Sequence, residues 1–150
     1  MILSYILWFT VVWFSSFLFH EAMHCFEHRR QGGQYSTVEF WQWHGLPSLR
    51  VIHHGVQRNP DMVRLAGGLY TGIVLWSIEG VYLAIVSVLG ETTVNAITYS
   101  LLCIGWVQVL YGIYECCMLD RLSIEKYMFW HYCLYCLVIV VFSVIWVIVK

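Results

Sequence analysis

The sequence predicts an all-α polytopic membrane protein with four transmembrane helices and a short surface β-hairpin between the first and the second. Three observations lead to this fold class. The 150-residue chain is 60% hydrophobic and only 11% charged, its apolar residues form four long stretches, and its charged residues gather between them. We therefore expect residues 1–150 to form a single membrane domain. No basic face is visible in the sequence, so no nucleic-acid partner is expected.

The first predicted helix, about residues 2–25, ends in an H-E-x-x-H motif that runs from His20 to His24. The residues before the motif are almost wholly apolar, so these polar groups are costly unless something binds or pairs them. Residues four positions apart share a helix face, so His20 and His24 can present two imidazole nitrogens to one cation. Glu21 can reach a water molecule on that cation. The pattern is typical of zinc hydrolases.

A short hairpin is predicted at the membrane surface after the first helix. Residues 27–30 should leave the helix for water, and the glycine-containing residues 31–34 indicate a turn. Residues with high β-propensity follow, and a second turn is predicted at residues 44–47. The hairpin should cover about residues 34–54. After it, Asp61 can cap the next helix.

Three further apolar stretches complete the predicted bundle. The second helix, about residues 62–89, begins with small residues that would let a neighbouring helix approach closely. The third helix, about residues 94–117, carries Glu115 near its end. The fourth covers about residues 127–149. Four spans joined by short connections give an up-down-up-down bundle.

The polar residues of this bundle should gather at one end, which we call the motif face. The first and third helices run in the same direction, so His20, His24 and Glu115 should lie at the same depth. Asp120, in the link before the fourth helix, belongs to the same end. Seven of the eight basic residues flank this face: Arg29, Arg30, Arg50, Arg58, Arg64, Arg121 and Lys126. The positive-inside rule therefore predicts a cytoplasmic motif face and extracytoplasmic termini.

These residues resemble the site-2 protease family of intramembrane zinc metalloproteases. The resemblance covers the first three helices and begins with H-E-x-x-H at the end of a membrane helix, followed by a hairpin. Ala66-Gly67-Gly68-Leu69-Tyr70-Thr71 is similar to the A-G-P-x-x-N motif of the family, with Gly68 at the proline and Thr71 at the asparagine. Leu119-Asp120-Arg121 is similar to the L-D-G motif, whose Asp is the third zinc ligand, without its glycine. The resemblance implies a protease that acts on membrane-protein segments.

Two carboxylates compete for the place of the third zinc ligand. Glu115 lies within the third helix at the depth of the histidine pair, where an unpaired carboxylate would be costly. Asp120 lies in the link beside Arg121, where it could instead cap a helix or form an ion pair. We favour Glu115 and keep Asp120 as the alternative. Gln108 and Tyr111 lie on the face of Glu115 and could orient a ligand, stabilise an oxyanion or simply join two helices. The remaining candidate ligands are His28, His53, His54 and Cys117.

We expect a zinc metalloendopeptidase of site-2 type that hydrolyses peptide bonds in membrane-protein segments. His20, His24 and Glu115 would hold Zn²⁺, and Glu21 would act as general base and then general acid. The substrate must be locally unwound because a helix hides its carbonyl groups, and the hairpin could add a strand to it. Two alternatives use the same residues: a structural zinc site, and a degenerate protease that binds membrane helices without cutting them. A metal-ion transporter is less favoured, because deep polar positions are missing apart from Glu79.

Overall fold

The protein is a bundle of four apolar helices with a two-stranded antiparallel sheet after the first helix. The structure, a computed structural model, describes residues 2–43, 46–90 and 95–149. Its elements are α1 (Ile2–Arg30), β1 (Tyr35–Trp43), β2 (Leu46–His54), α2 (Pro60–Val88), α3 (Ala96–Met118) and α4 (Ile124–Val149). Within the described residues, four helices are long and apolar enough to cross a membrane. The predicted fold class is confirmed.

The first helix is longer than the sequence predicts. α1 continues to Arg30, so residues 27–30 do not leave the helix, and of these four only Arg29 and Arg30 are exposed as expected. Glu27 and His28 are fully buried in its last turns. Arg30 donates two hydrogen bonds of 2.7 Å to the Glu27 carboxylate, and Tyr70 of α2 donates a third over 3.3 Å. A carboxylate with these donors is stable when buried, so the face of the helix end that carries Glu27 and His28 packs inside the protein.

The hairpin lies where the sequence predicts it, but β2 begins within the residues predicted to form the second turn. β1 and β2 pair antiparallel along their whole lengths. Leu46 and Pro47 belong to β2 and not to the turn. His44 and Gly45, the other two residues of the predicted turn, lie outside the described residues.

The sheet is fastened to the end of α1. His28 Nε2 donates a hydrogen bond of 2.9 Å to the backbone oxygen of His54. Gly32 has a φ of 94°, which lets the chain reverse between α1 and β1. A Cβ atom on Gly33 would overlap the His28 imidazole, so glycine is required for this close approach. The hairpin is thus held beside the histidine-bearing end of α1.

The start of α2 differs from the prediction in one detail. Asn59 caps the helix, since its side-chain oxygen accepts a hydrogen bond of 3.1 Å from the Met62 amide. Pro60 occupies the first helical position, where a missing N–H costs nothing. Asp61 lies inside the first turn, so the expectation that it caps the helix is wrong.

The helices run in the predicted up-down-up-down order. At one end of the bundle the Tyr5 ring of α1 lies 5.9 Å from the Tyr99 ring of α3, and at the other end His20 bonds to Gln108. These contacts show that α1 and α3 run parallel to each other. The Tyr99 hydroxyl also donates to the Phe142 oxygen near the end of α4, over 2.8 Å, so α4 is antiparallel to α3. The ends of α1 and α3 therefore meet at the motif face.

Candidate metal centre

One face of α1 carries a row of polar side chains that are all buried. Ser16, His20, His24 and His28 follow at every fourth residue and so lie on one face of the helix. Their exposed fractions are 0%, 3%, 5% and 0%. Buried polar groups require partners, and the neighbouring elements provide most of them.

Three of the predicted ligand atoms converge at this face. The Nε2 atoms of His20 and His24 lie 2.9 Å apart, and each lies 3.3 Å from Glu115 Oε2. Ligand atoms about 2.0 Å from a tetrahedral zinc ion lie about 3.3 Å from one another. Among the described residues, these three form the group of side chains that could hold a metal ion.

The orientation of the His20 ring is fixed by a chain of hydrogen bonds. The Ser16 hydroxyl donates to the Trp13 oxygen over 2.7 Å, so its own oxygen is free to accept from the Gln108 amide group at 2.8 Å. The Gln108 carbonyl oxygen must then face His20, where it lies 2.9 Å from Nδ1. A carbonyl oxygen only accepts, so His20 Nδ1 carries the proton and Nε2 keeps its lone pair.

The His24 ring is held in the same tautomer by α2. Its Nδ1 donates to the backbone oxygen of Val63 over 2.7 Å, which leaves the Nε2 lone pair toward the ligand group. The ring fits against α2 because residue 67 is a glycine. A Cβ atom on Gly67 would overlap the imidazole. Gly67 therefore gives His24 the room to reach the site.

The donor set fits a metal cation. When both imidazoles are neutral and carry their proton on Nδ1, two Nε2 lone pairs and one carboxylate oxygen face one another. Such an arrangement repels itself unless a cation lies in the middle. Zinc binds neutral imidazole nitrogen and carboxylate oxygen, and its histidine ligands commonly donate their other N–H to a carbonyl or carboxylate. The residues present therefore suit Zn²⁺.

The structure does not bring Asp120 to this group. Asp120 follows the end of α3, is exposed, and forms an ion pair with Arg64 at the start of α2. This pairing leaves it at the surface of the motif face. The other candidate ligands lie outside this group: His28 bonds to the hairpin backbone, and Cys117 is exposed. His53 lies 2.9 Å from the Ser36 hydroxyl, and His54 lies 3.4 Å from the Thr37 hydroxyl.

A cavity of about 490 Å³ opens beside the ligand group. Glu21, His24 and Glu115 lie on its wall, so the predicted general base faces the same space as two of the ligands. Tyr111 and His131 line it from α3 and α4. The cavity can admit a peptide group and a water molecule next to the ligand atoms.

His53 of β2 also lines the cavity. Burial lowers its pKa to about 4, and the neighbouring imidazoles of His28 and His24 act in the same direction. Its ring stacks on the His28 ring with centroids 4.5 Å apart. His53 is therefore neutral at pH 7 and adds no positive charge that would compete with a metal ion.

Several residues of the site are not among those predicted as site residues from the sequence. Ser16, the backbone oxygen of Val63 and His131 take part in it, and their sequence context gives only one signal. Ser16 continues the four-residue spacing of the histidines, which a search for polar residues on the motif's face would find. The others depend on contacts between helices that are distant in sequence.

The fold and this site define a class: a helical, multi-pass membrane protein in which two buried histidines and one partly buried glutamate converge at one end of the bundle. Comparison with family models, with curated proteins and with solved structures finds no match for this chain. Its function is therefore inferred from its own residues.

Proposed function

We propose that the protein is an intramembrane zinc metalloprotease, of the site-2 type that its motifs resemble, which hydrolyses peptide bonds in membrane-protein segments. The observation that carries this proposal is the convergence of His20, His24 and Glu115 on one point, with Glu21 on the wall of the adjoining cavity. A purely structural zinc site has four protein ligands and no open position. Among the described residues three ligand atoms converge, which favours an open site.

The chemistry divides between the metal and the protein. A zinc ion on the three ligand atoms would supply a Lewis acid for water and for a peptide carbonyl. Glu21 accepts the proton of the attacking water as the oxygen bonds to the carbonyl carbon. It then returns that proton to the leaving nitrogen as the C–N bond breaks. Gln108 and the Val63 backbone hold the two imidazoles in place throughout.

The shape of the cavity supports an extended peptide as the substrate. Leu49, Val51 and His53 alternate along β2 and line the cavity, so the strand runs past the ligand group. A membrane segment unwound over a few residues would expose carbonyl groups to Glu21 and could pair with the hairpin. We further propose that the motif face is cytoplasmic, because seven of the eight basic residues flank it.

Replacement of Glu21 separates an enzyme from a binder. We would reconstitute the protein in phosphatidylcholine and phosphatidylglycerol liposomes with a fluorescence-quenched single-span peptide that carries an Asn-Pro-Gly break. Glu21→Gln should keep zinc but lose about 10²–10⁴-fold in cleavage rate, because an amide cannot take the proton. His20→Ala should lose both zinc and cleavage. Glu125→Gln, at an exposed position of α4, is the matched control and should behave as wild type.

Equal cleavage by zinc-loaded wild type and Glu21→Gln would contradict the proposed mechanism. Zinc-loaded wild-type protein that cleaves neither this peptide nor any membrane protein in cells would favour the second candidate, a zinc-binding protein or degenerate protease. That alternative uses the same ligands and differs only in the fate of the bound segment.

A further inference from the structure

His131 of α4 lines the cavity beside the ligand group. Its exposed fraction is 8%, so it is more than nine-tenths buried. Its Nδ1 atom is fully buried and has no hydrogen-bond partner among the described residues. A buried polar atom without a partner is destabilising, and a phenylalanine at this position would avoid that cost. The presence of histidine here calls for a function.

The protonation of the ring follows from its surroundings. A buried N–H without an acceptor is rarer and costlier than a bare lone pair. The proton of the neutral ring therefore belongs on Nε2, the nitrogen that is not enclosed. Since His131 lines the cavity, Nε2–H is the polar group that the ring offers to a molecule inside it.

Aromatic neighbours hold this ring in place. The Tyr111 ring packs edge-on against His131 at 4.4 Å between centroids, and Tyr135 packs against it at 4.8 Å. Tyr111 also lies 5.1 Å from the His20 ring. A single aromatic ring, Tyr111, thus separates His131 from a metal ligand, and His131 lines the cavity that a bound peptide group would enter.

We propose that His131 is a further catalytic residue, which donates a hydrogen bond from Nε2–H to the carbonyl oxygen of the bound peptide as that oxygen becomes an oxyanion. The inference rests on the proposed function. As the water oxygen bonds to the carbonyl carbon, the C=O electron pair moves onto the oxygen and the water proton goes to Glu21. The pair returns when the C–N bond breaks, and His131 keeps its proton throughout. A fixed donor at the developing charge is worth about 10²–10³ in rate.

A matched pair of variants tests the donor. His131→Phe keeps a ring against Tyr111 and Tyr135 but has no N–H, whereas His131→Gln can place an amide N–H near the position of Nε2. His131→Phe should lower kcat about 10²–10³-fold with KM and zinc content near wild type. His131→Gln should recover most of this loss. The melting temperature of His131→Phe should equal or exceed that of wild type, because an unpartnered polar atom is removed.

A binding measurement gives a readout that needs no turnover. A phosphinic peptide carries a tetrahedral oxyanion where the substrate has its carbonyl group, and the corresponding amide does not. His131→Phe should bind the phosphinic peptide about 10-fold or more weakly than wild type, while affinity for the amide stays the same. Zinc-loaded protein is used throughout.

The outcomes separate this inference from the proposed function. If His131→Phe cleaves and binds the phosphinic peptide as wild type does, or if His131→Gln is as impaired as His131→Phe, the donor role is overturned while the Glu21 result stands. If wild type binds the phosphinic peptide but cleaves nothing, proteolysis fails and the binding comparison still decides the role of His131. If wild type binds no phosphinic peptide, both fail.

Discussion

At the scale of single residues, the ligand group depends on partners that fix each imidazole. His20 is oriented by the Gln108 oxygen and His24 by a backbone oxygen of α2. Without these acceptors either ring could rotate or carry its proton on Nε2. The Nε2 atom would then have no lone pair with which to bind a metal ion. The spacing of the residues in the sequence predicts the ligands. For Gln108 the sequence indicates only a position on the same helix face as Glu115.

Gln108→Leu should weaken zinc binding. The Nδ1–H of His20 would then lack an acceptor in a buried position, and the ring would lose its preferred tautomer. Loss of such a partner typically lowers metal affinity about 10–100-fold. Competition with a chromophoric chelator measures this change. Gln108→Glu keeps an acceptor oxygen and should stay close to wild type; a Gln108→Leu protein that binds zinc as tightly as wild type would show that the bond does not matter.

At the scale of elements, glycines on α2 determine how closely α1 and α3 can approach it. Gly68 meets Gly112 of α3, where a Cβ on Gly112 would lie 2.9 Å from the Gly68 Cα. Gly67, next to it, faces α1 and leaves space for the His24 ring. The Ala66-Gly67-Gly68 stretch thus sets both the α2–α3 distance and the position of a ligand. From the sequence, its small residues predict close packing but not which helix each one meets.

Gly67→Ala should displace His24 and weaken zinc binding, because the new methyl group and the imidazole cannot occupy the same space. Overpacking of this kind costs about 1–3 kcal/mol. Gly80→Ala is the control in the same helix, since nothing lies within 4 Å of a Cβ built there. It should leave zinc affinity unchanged. Equal zinc affinity for the two variants, measured by chelator competition, would contradict the role given to Gly67.

At the scale of the whole molecule, the predictable part is the order and direction of the helices. Four apolar stretches with short connections lead to an up-down-up-down bundle, and this places the ends of α1 and α3 together. The boundaries were harder to predict, because burial of Glu27 and His28 depends on Arg30, Tyr70 and the hairpin. The convergence of His20 and Glu115 was predictable from depth alone. The partners of Asp120 were not, because its ion pair joins residues 56 positions apart.

The orientation of the bundle can be measured by labelling single cysteines. We would replace the six native cysteines and introduce Val56→Cys, at an exposed position on the motif face, or Leu89→Cys, at the opposite end. A membrane-impermeant maleimide should label Leu89→Cys in intact cells and Val56→Cys only after permeabilisation. The reverse pattern would place the motif face outside the cell.

Zinc content of the purified protein tests the central claim most directly. Elemental analysis of wild type, Glu115→Ala and Asp120→Ala compares the partly buried carboxylate of Glu115 with the exposed carboxylate of Asp120. We expect about one zinc ion per chain in wild type, because the two histidines and one carboxylate form one site. Asp120→Ala should keep it, since an exposed ion pair contributes little, and Glu115→Ala should lose it. A wild-type protein without zinc, or loss of zinc from Asp120→Ala while Glu115→Ala retains it, would contradict the account.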